Sequence, residues 1–133
     1  MPKITAEQLV RRAADIVNPR KNGDYTIGDV GCALITDTGN VYLGVCIDTS
    51  SGMGFCAEHS AIAAMVTAGE SRIVSIVAVC KDENGVARIV APCGRCREFL
   101  RQIDNDNLET EVILARERVV KLKDLLPYDD WLG

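Results

Sequence analysis

The sequence predicts an α/β domain in which helices cover a mixed β-sheet. After an initial hairpin, apolar segments with strand character alternate with segments of helical periodicity that carry recognisable caps. The chain has 133 residues, of which 47% are hydrophobic and 26% charged, so it is long enough to close one sizeable core. We therefore expect a single domain over residues 1–133.

The N-terminal third predicts a helix followed by a β-hairpin. A capping box opens the helix at Thr5, and Asn18-Pro19 ends it because proline disfavours the helical conformation in the residue before it. Residues 30–35 and 41–47 are apolar runs separated by polar turn residues, which is typical of two strands joined by a hairpin loop.

The rest of the chain predicts helices and strands in alternation. A loop rich in Gly and Ser leads into an alanine-rich helix over residues 56–68, and the apolar run 73–80 predicts a strand buried on both faces. The further predicted elements are a strand at 86–90, a helix from 91 to about 103, a strand at 111–115, and a short strand and helix within 119–126. The acidic run 104–107 is expected to be a solvated loop.

Charge and cysteine content limit the function classes. A net charge of -4 and a pI of about 5.0 disfavour a basic groove for a nucleic-acid polymer. The N-terminus lacks the apolar run of a secretory signal, and no segment is apolar for long enough to cross a bilayer, so we expect a cytoplasmic protein. In a reducing compartment, six cysteines indicate metal binding or catalysis rather than disulfides. Cys32, Cys46 and Cys80 lie in predicted strands and are expected to be core residues.

Two short segments carry the chemistry that the cysteines indicate. The first runs from Cys56 to Glu58, and the second contains the Cys-x-x-Cys pair Cys93 and Cys96. A tetrahedral catalytic zinc takes three protein ligands and leaves one position for water. Cys56, Cys93 and Cys96 supply three thiolates at two predicted helix starts, where backbone N–H groups favour negative charge. The sequence therefore predicts one Zn²⁺ per chain.

The residues next to these cysteines suggest how the site would work. Glu58 lies within one helical turn of the first ligand, where its carboxylate can reach a water at the metal without ligating it, so it is the candidate catalytic proton carrier. Three thiolates carry more negative charge than Zn²⁺ neutralises, and positive neighbours are needed to offset the surplus. The candidates are His59, Arg95 and Arg97, whose substitution should then change turnover.

The pattern of ligand, glutamate and Pro-Cys-x-x-Cys resembles that of the zinc deaminases. With three cysteines it is similar to the small cytidine deaminases, and residues 92–97 are especially similar to the blasticidin S deaminases, which are short members of that family. The resemblance covers nearly the whole chain. It implies a three-layer α/β/α fold, a homotetramer with sites near subunit interfaces, and hydrolytic deamination of a cytosine nucleoside, either cytidine or deoxycytidine, to the uracil nucleoside and ammonia.

The loop before the first ligand departs from the family pattern. Typical members carry Asn-x-Glu there and hold the ribose with those two side chains, whereas this chain has Cys-Ile-Asp at 46–48. Asp48 can accept a hydrogen bond from a sugar hydroxyl, but Cys46 cannot replace a carboxamide, and Phe55 either lines the pocket or packs in the core. His59 stands where the family usually has arginine. A modified cytosine nucleoside such as blasticidin S is therefore the alternative substrate.

The sequence also leaves a second class of protein open. A non-catalytic, zinc-stabilised binding module would close its site with a fourth ligand, for which Cys46 or His59 is available. Near the C-terminus, Tyr128 and Trp131 are predicted to anchor the chain end, and capping a base in a neighbouring subunit's site is the alternative for them.

Overall fold

The structure is a computed structural model, and it describes residues 4–130. Its helices and strands are α1 (Ala6–Asp15), β1 (Arg20–Asn22), β2 (Tyr25–Thr36), β3 (Val41–Asp48), α2 (Ala57–Thr67), β4 (Ile73–Lys81), β5 (Ala87–Val90), α3 (Gly94–Ile103), β6 (Glu111–Ala115) and β7 (Arg118–Lys121), with two 3₁₀ helices at Asn105–Glu109 and Leu122–Leu125. No helix in the described range combines the length and the apolar character needed to span a bilayer.

All seven strands belong to one sheet whose centre is the antiparallel pair β2 and β4. β3 pairs with the same part of β2 as β4 does, so β3 lies on the opposite side of β2. β6 and β5 both pair with the free side of β4, β6 in parallel and β5 antiparallel, and β7 closes that edge beside β6. The sheet is therefore mixed, as the sequence predicts.

Helices cover both faces of the sheet, because successive strand residues point to opposite sides. Ala33 and Leu34, which are adjacent in β2, belong to different cores. The core beneath α1 contains Leu9, Val10, Ala13, Ala33, Val77, Val79 and Ile113. The core beneath α2 and α3 contains, among others, Cys32, Leu34, Ala61, Ile62, Met65, Ile76, Leu100 and Val112. This arrangement confirms the three-layer α/β/α fold.

The start of α2 is fixed against β3 by a close backbone approach. Gly44 lies against the first two turns of α2, and a Cβ at this position would overlap the backbone nitrogen of Ala61 and the Cβ of Ser60. Ser60 Oγ donates a hydrogen bond to the carbonyl of Val45 at 2.6 Å. A residue with a side chain at position 44 would push the helix away, so this contact determines where the N-terminus of α2 points.

Most predicted elements are present, including the capping box at Thr5, but the structure corrects several expectations and adds one strand. β2 begins at Tyr25 rather than residue 30, since a bulge between Ile27 and Gly31 carries the strand past an irregular stretch. β1 was not predicted, because it is exposed at every residue and has no apolar pattern. It forms by pairing with this first part of β2. Cys80 is half-buried rather than a core residue.

The acidic run 104–107 is also not a solvated loop, because Asn107 within it is fully buried. The Oδ1 atom of Asn107 accepts the N–H of Ile73 at 2.8 Å, and its Nδ2 donates to the carbonyls of Ser71 and Leu100, each at 3.0 Å. One side chain therefore ties the end of α3 to the start of β4. The polar composition of the run does not predict these hydrogen bonds, because their partners lie 7 to 36 positions away in the sequence.

We expect Asn107→Ala to lower the free energy of unfolding by about 3 kcal/mol, because it removes the side-chain partner of the buried N–H of Ile73, of the buried carbonyl of Leu100 and of the partly buried carbonyl of Ser71. Urea unfolding followed by circular dichroism would measure the change. Asn105→Ala, at an exposed position two residues away, is the matched control and should have little effect. Equal stability of the two variants would contradict the structural role of Asn107.

Glu70, just after α2, joins that helix to the β2–β3 hairpin. Its carboxylate accepts hydrogen bonds from the hydroxyl of Thr38, the amide of Asn40 at 2.9 Å and the hydroxyl of Tyr42 at 2.6 Å. These bonds, that from Thr38 first, hold the pKa of Glu70 at about 2. Since the ionised form makes the contacts, the charge of Glu70 contributes to stability.

The stability difference between the native chain and Glu70→Gln should therefore depend on pH. An unfolded glutamate has a pKa of about 4.3, so the stabilisation by ionised Glu70 is complete above that pH and is lost as the pH falls toward 2. Thermal unfolding at several pH values would test this, with Glu83→Gln, in the exposed turn after β4, as the control. A native-minus-variant difference that stays constant from pH 6 to about pH 2.5 would refute the prediction.

Candidate active site

Two helices begin at cysteines and bring their N-termini together. Cys56 is the N-cap of α2 and Cys93 is the N-cap of α3. Cys96 lies in the first turn of α3 and is fully buried. The three sulfur atoms all lie within 4.8 Å of one another. The structure therefore brings together the three cysteines that the sequence predicts as metal ligands.

The spacing of the sulfur atoms fits one tetrahedral ion. The Sγ atoms of Cys56 and Cys93 are 3.6 Å apart, and those of Cys93 and Cys96 are 3.5 Å apart. Zn–S bonds of about 2.3 Å at tetrahedral angles place sulfur atoms about 3.8 Å apart. Among residues 4–130, the cluster of mutually close metal-binding atoms consists of these three cysteines. The chain can therefore hold a metal ion with a position left for water.

Ionisation of the three thiols is uneven in the protein alone. Burial raises the pKa of Cys56 and, more strongly, that of Cys96, to which the charge of Glu58 adds. Burial also raises the pKa of Cys93, but hydrogen bonds from the backbone N–H and thiol of Cys96, with smaller effects from Cys56 and the Arg95 N–H, bring it below its ordinary value. A divalent ion favours all three thiolates at once, so metal uptake releases protons.

Glu58 is the second residue of α2, and its side chain is buried beside the cluster, with the residue only 5% exposed. Burial raises the pKa of its carboxyl, and hydrogen bonds from its own backbone N–H and from Cys96 offset part of that rise. A carboxyl with a raised pKa both accepts and donates protons more readily near neutral pH. The residue therefore has the environment expected of a group that transfers protons.

His59 contacts the cluster through the sulfur of Cys96. Its Nδ1 lies 3.4 Å from that Sγ, and its ring stacks on Phe99 with the ring centroids 4.3 Å apart and the planes 2° from parallel. The Phe55 ring lies on another side at 6.4 Å, tilted by 33°. Burial, and then the charge of Arg95, lower the pKa of His59, which favours a neutral ring. A neutral ring protonated at Nδ1 donates to the sulfur and offsets part of its charge.

The two arginines of the second ligand segment are directed at carbonyl groups. The exposed side chain of Arg95 donates to the carbonyl of Gly54 at 3.5 Å and so spans from α3 to the loop before the first ligand. The Nε atom of Arg97 donates to the carbonyl of Pro92 at 2.8 Å, and its Nη1 donates to that of Leu125 at 3.3 Å. Arg97 thus holds the start of α3 against the C-terminal segment, a contact between distant parts of the chain.

Two of the three residues predicted to contact substrate, Cys46 and Asp48, lie on β3, and Phe55 lies directly before the first ligand. Cys46 is buried, and its Sγ donates to Oδ1 of Asp29 at 2.6 Å, so its thiol is not directed to the metal as a fourth ligand. Asp48 is exposed at the end of the strand. Sequence reasoning missed Asp29. The sequence shows only a carboxylate among the apolar residues of the strand. Its partner Cys46 is 17 positions away, so the neighbouring residues do not predict the contact.

Of the two aromatic residues predicted to anchor the C-terminal end, Tyr128 lies within the residues that the structure describes. The side chain of Tyr128 is 99% exposed, so the expectation that it anchors the chain end is wrong for this chain on its own. Tyr128 also has a positive φ of 57°, which is uncommon for a residue with a side chain. Trp131 lies outside the described residues.

Comparison with known proteins places these observations in a family. Residues 3–111 match the family model described as the cytidine and deoxycytidylate deaminase zinc-binding region. A cytidine deaminase from Mycobacterium tuberculosis is 32% identical over 104 residues, which cover 77% of this chain and 73% of that protein. A blasticidin-S deaminase from Bacillus cereus is 40% identical over 76 residues, which cover 53% of this chain and 54% of that protein.

Solved structures agree with the sequence matches. A crystal structure of a mutant cytidine deaminase from Mycobacterium tuberculosis superposes with a TM-score of 0.75 and 26% identity, covering 95% of this chain and 98% of that one. The matched family region contains all three clustered cysteines and Glu58. These matches confirm the resemblance found in the sequence. The chain belongs to the cytidine and deoxycytidylate deaminase family of zinc-binding enzymes.

Proposed function

We propose that the chain hydrolyses the 4-amino group of cytidine or deoxycytidine, giving the uracil nucleoside and ammonia. The observation that carries this proposal is the buried Glu58 beside three clustered cysteines where two helices begin. Cys56, Cys93 and Cys96 hold one Zn²⁺. When bound, zinc supplies a Lewis acid that makes water nucleophilic near neutral pH.

Glu58 moves the protons of the reaction. It lies in the first turn of α2 beside the ligands without belonging to the cluster. Its carboxylate accepts a proton from the attacking water and gives it to the ring nitrogen next to C4. It then takes the second proton from the hydroxyl group formed on C4 and passes it to the amine, which leaves as ammonia. The C4–O bond forms, the C4–N bond breaks, and no oxidant or reductant is needed.

Other residues near the cluster support this chemistry without taking part in bond changes. His59 and the two helix N-termini offset the surplus charge of three thiolates. Arg95 and Arg97 hold the loops on either side of the cluster in place through carbonyl groups. Phe55, half-buried next to His59, lines the pocket, and Asp48 faces the sugar.

A second candidate substrate is a modified cytosine nucleoside such as blasticidin S. Two observations favour it: a thiol stands at position 46, where it cannot act as a carboxamide, and a blasticidin-S deaminase is among the similar proteins. A panel of cytidine, deoxycytidine, free cytosine and blasticidin S, followed by loss of the cytosine absorbance, separates the candidates. Turnover of the antibiotic without turnover of cytidine would replace the first choice by the second.

We also propose that the protein is a single domain that works as a homotetramer in the cytoplasm, within pyrimidine salvage. The family resemblance supports this assembly, and the fully exposed Tyr128 is available to a neighbouring subunit. Sedimentation equilibrium of the purified chain would measure the assembly.

Replacement of any one cluster cysteine by serine should remove the metal. We expect about one zinc per chain in the native protein and a small fraction of that in Cys56→Ser, Cys93→Ser or Cys96→Ser, because a thiolate ligand is lost in each. Metal analysis of protein purified with added zinc would measure this. Cys80→Ser, at a half-buried strand position, is the matched control. Full zinc content in all three variants would show that the metal binds elsewhere.

Glu58→Gln should keep its zinc and lose about a hundredfold to ten-thousandfold in kcat, because the amide cannot carry protons. The cytosine absorbance assay gives the rate, and metal analysis shows that the cluster is intact. This experiment also separates an enzyme from a zinc-stabilised binding module, for which the substitution would be harmless. Unchanged turnover with full zinc content would rule out Glu58 as the proton carrier.

A further inference from the structure

The strand that runs beside the first metal ligand is placed by one pair of hydrogen bonds. The N–H of Ile47 donates to the carbonyl of Phe55 at 3.0 Å, and the N–H of Phe55 donates to the carbonyl of Ile47 at 2.8 Å. In an antiparallel pair, the neighbours of two such residues lie across from each other with their side chains on the same side. Cys46 therefore lies across from Cys56, whose extended backbone continues this direction.

The side chain of Cys46 faces the layer of α2 and α3, since it packs in the same core as Ala57 and Ala61. Asp48 lies two residues further along β3, so it shares this side of the strand, and it is exposed to solvent. The side of β3 that flanks the first turn of α2 thus presents a buried thiol followed by an exposed carboxylate.

Asp29 reaches this place from the neighbouring strand. It lies at the bulge of β2 between Ile27 and Gly31, and it is half-buried. Among the described residues 4–130, its carboxylate accepts one hydrogen bond, on Oδ1, from the thiol of Cys46 at 2.6 Å. No basic side chain pairs with it there, so a half-buried carboxylate beside the cluster has an acceptor oxygen, Oδ2, to spare. Such an acceptor suits a ligand that carries hydroxyl donors.

We propose that Asp29 binds the substrate by accepting a hydrogen bond from a hydroxyl of its sugar, and that Cys46 is the positioning residue that orients the carboxylate. This inference rests on the proposed deaminase function and names its substrate class. The ligand is a cytosine nucleoside with free sugar hydroxyls. With Asp29 and Asp48 both on this side of the site, a phosphate on the sugar would be repelled, so nucleoside monophosphates are disfavoured.

Binding to the Glu58→Gln variant tests this without turnover. Calorimetry would measure the binding of cytidine and of 2′,3′-dideoxycytidine to two proteins, the Glu58→Gln variant and the double variant that also carries Asp29→Asn. We expect Asp29→Asn to weaken cytidine binding about tenfold to a hundredfold, and binding of the dideoxy compound by less than about threefold, because only cytidine offers the hydroxyl donors. Equal losses for the two ligands, no loss, or no cytidine binding by the zinc-loaded parent would overturn the proposal.

Two further variants guard against a folding artefact. Asp37→Asn, in the exposed hairpin loop after β2, makes the same change of charge away from the site and should leave both affinities unchanged. If Asp29→Asn does not fold, as judged by circular dichroism and zinc content, Asp29→Ser provides the same comparison. Deoxycytidine 5′-monophosphate should bind at least about tenfold more weakly than deoxycytidine, and equal affinities would contradict the substrate class.

The role of Cys46 is tested by rescue in the chain with Glu58 intact. Cys46→Ala removes the donor to Asp29 and should raise KM severalfold with kcat nearly unchanged, whereas Cys46→Ser restores a donor and should restore KM. A role in packing alone would make both variants alike. The proposed reaction is tested separately, by ammonia release from the chain with Glu58 intact. Binding that depends on Asp29 without ammonia release would support this inference and refute deamination. Ammonia release with binding that does not depend on Asp29 would support deamination and refute this inference.

Discussion

Three thiols meet where two helices begin, and the rest of the site depends on how their charge is accommodated. Cys56 and Cys93 occupy N-cap positions, so the backbone N–H groups at the starts of α2 and α3 lie beside the cluster. His59 adds a contact to the sulfur of Cys96 from the same side. Because three thiolates exceed the charge of one Zn²⁺, these dipoles would offset part of the surplus negative charge when the metal is bound.

The fold holds this meeting point in place through contacts that are far apart in the chain. Gly44 lets α2 lie directly on β3, and Ser60 bonds to the same strand, which sets the position of the first ligand. Asn107 fixes the end of α3 to β4, and Arg97 fixes its beginning to the C-terminal segment. Both ends of the helix that carries the second and third ligands are therefore held in place, and the sulfur spacing suits a metal ion.

The two sides of the site differ in how closely they follow the family. The side with the cluster keeps the three cysteines and the glutamate that the resemblance implies, with His59 in place of the usual arginine. The side along β3 has Cys46 in place of a carboxamide, and Asp29 accepts a hydrogen bond from it. Zinc chemistry imposes fixed ligand types and distances, so that side tolerates little change. Recognition of a sugar needs only donors and acceptors near its hydroxyls, which several arrangements can provide, so the residues along β3 can vary more than the zinc ligands.

The sequence by itself determined what depends on near neighbours: the capping box at Thr5, the apolar strands, the glycine after α2, and both cysteine segments at helix starts. These signals are local, because caps and periodicity involve residues within a few positions of each other. Only the tertiary structure decided the burial of Asn107, the pairing of β1 and the contact of Asp29 with Cys46. Each joins distant chain segments through a strand register or a hydrogen bond. Composition does not encode such contacts, so the sequence alone does not distinguish these polar residues from ordinary surface residues.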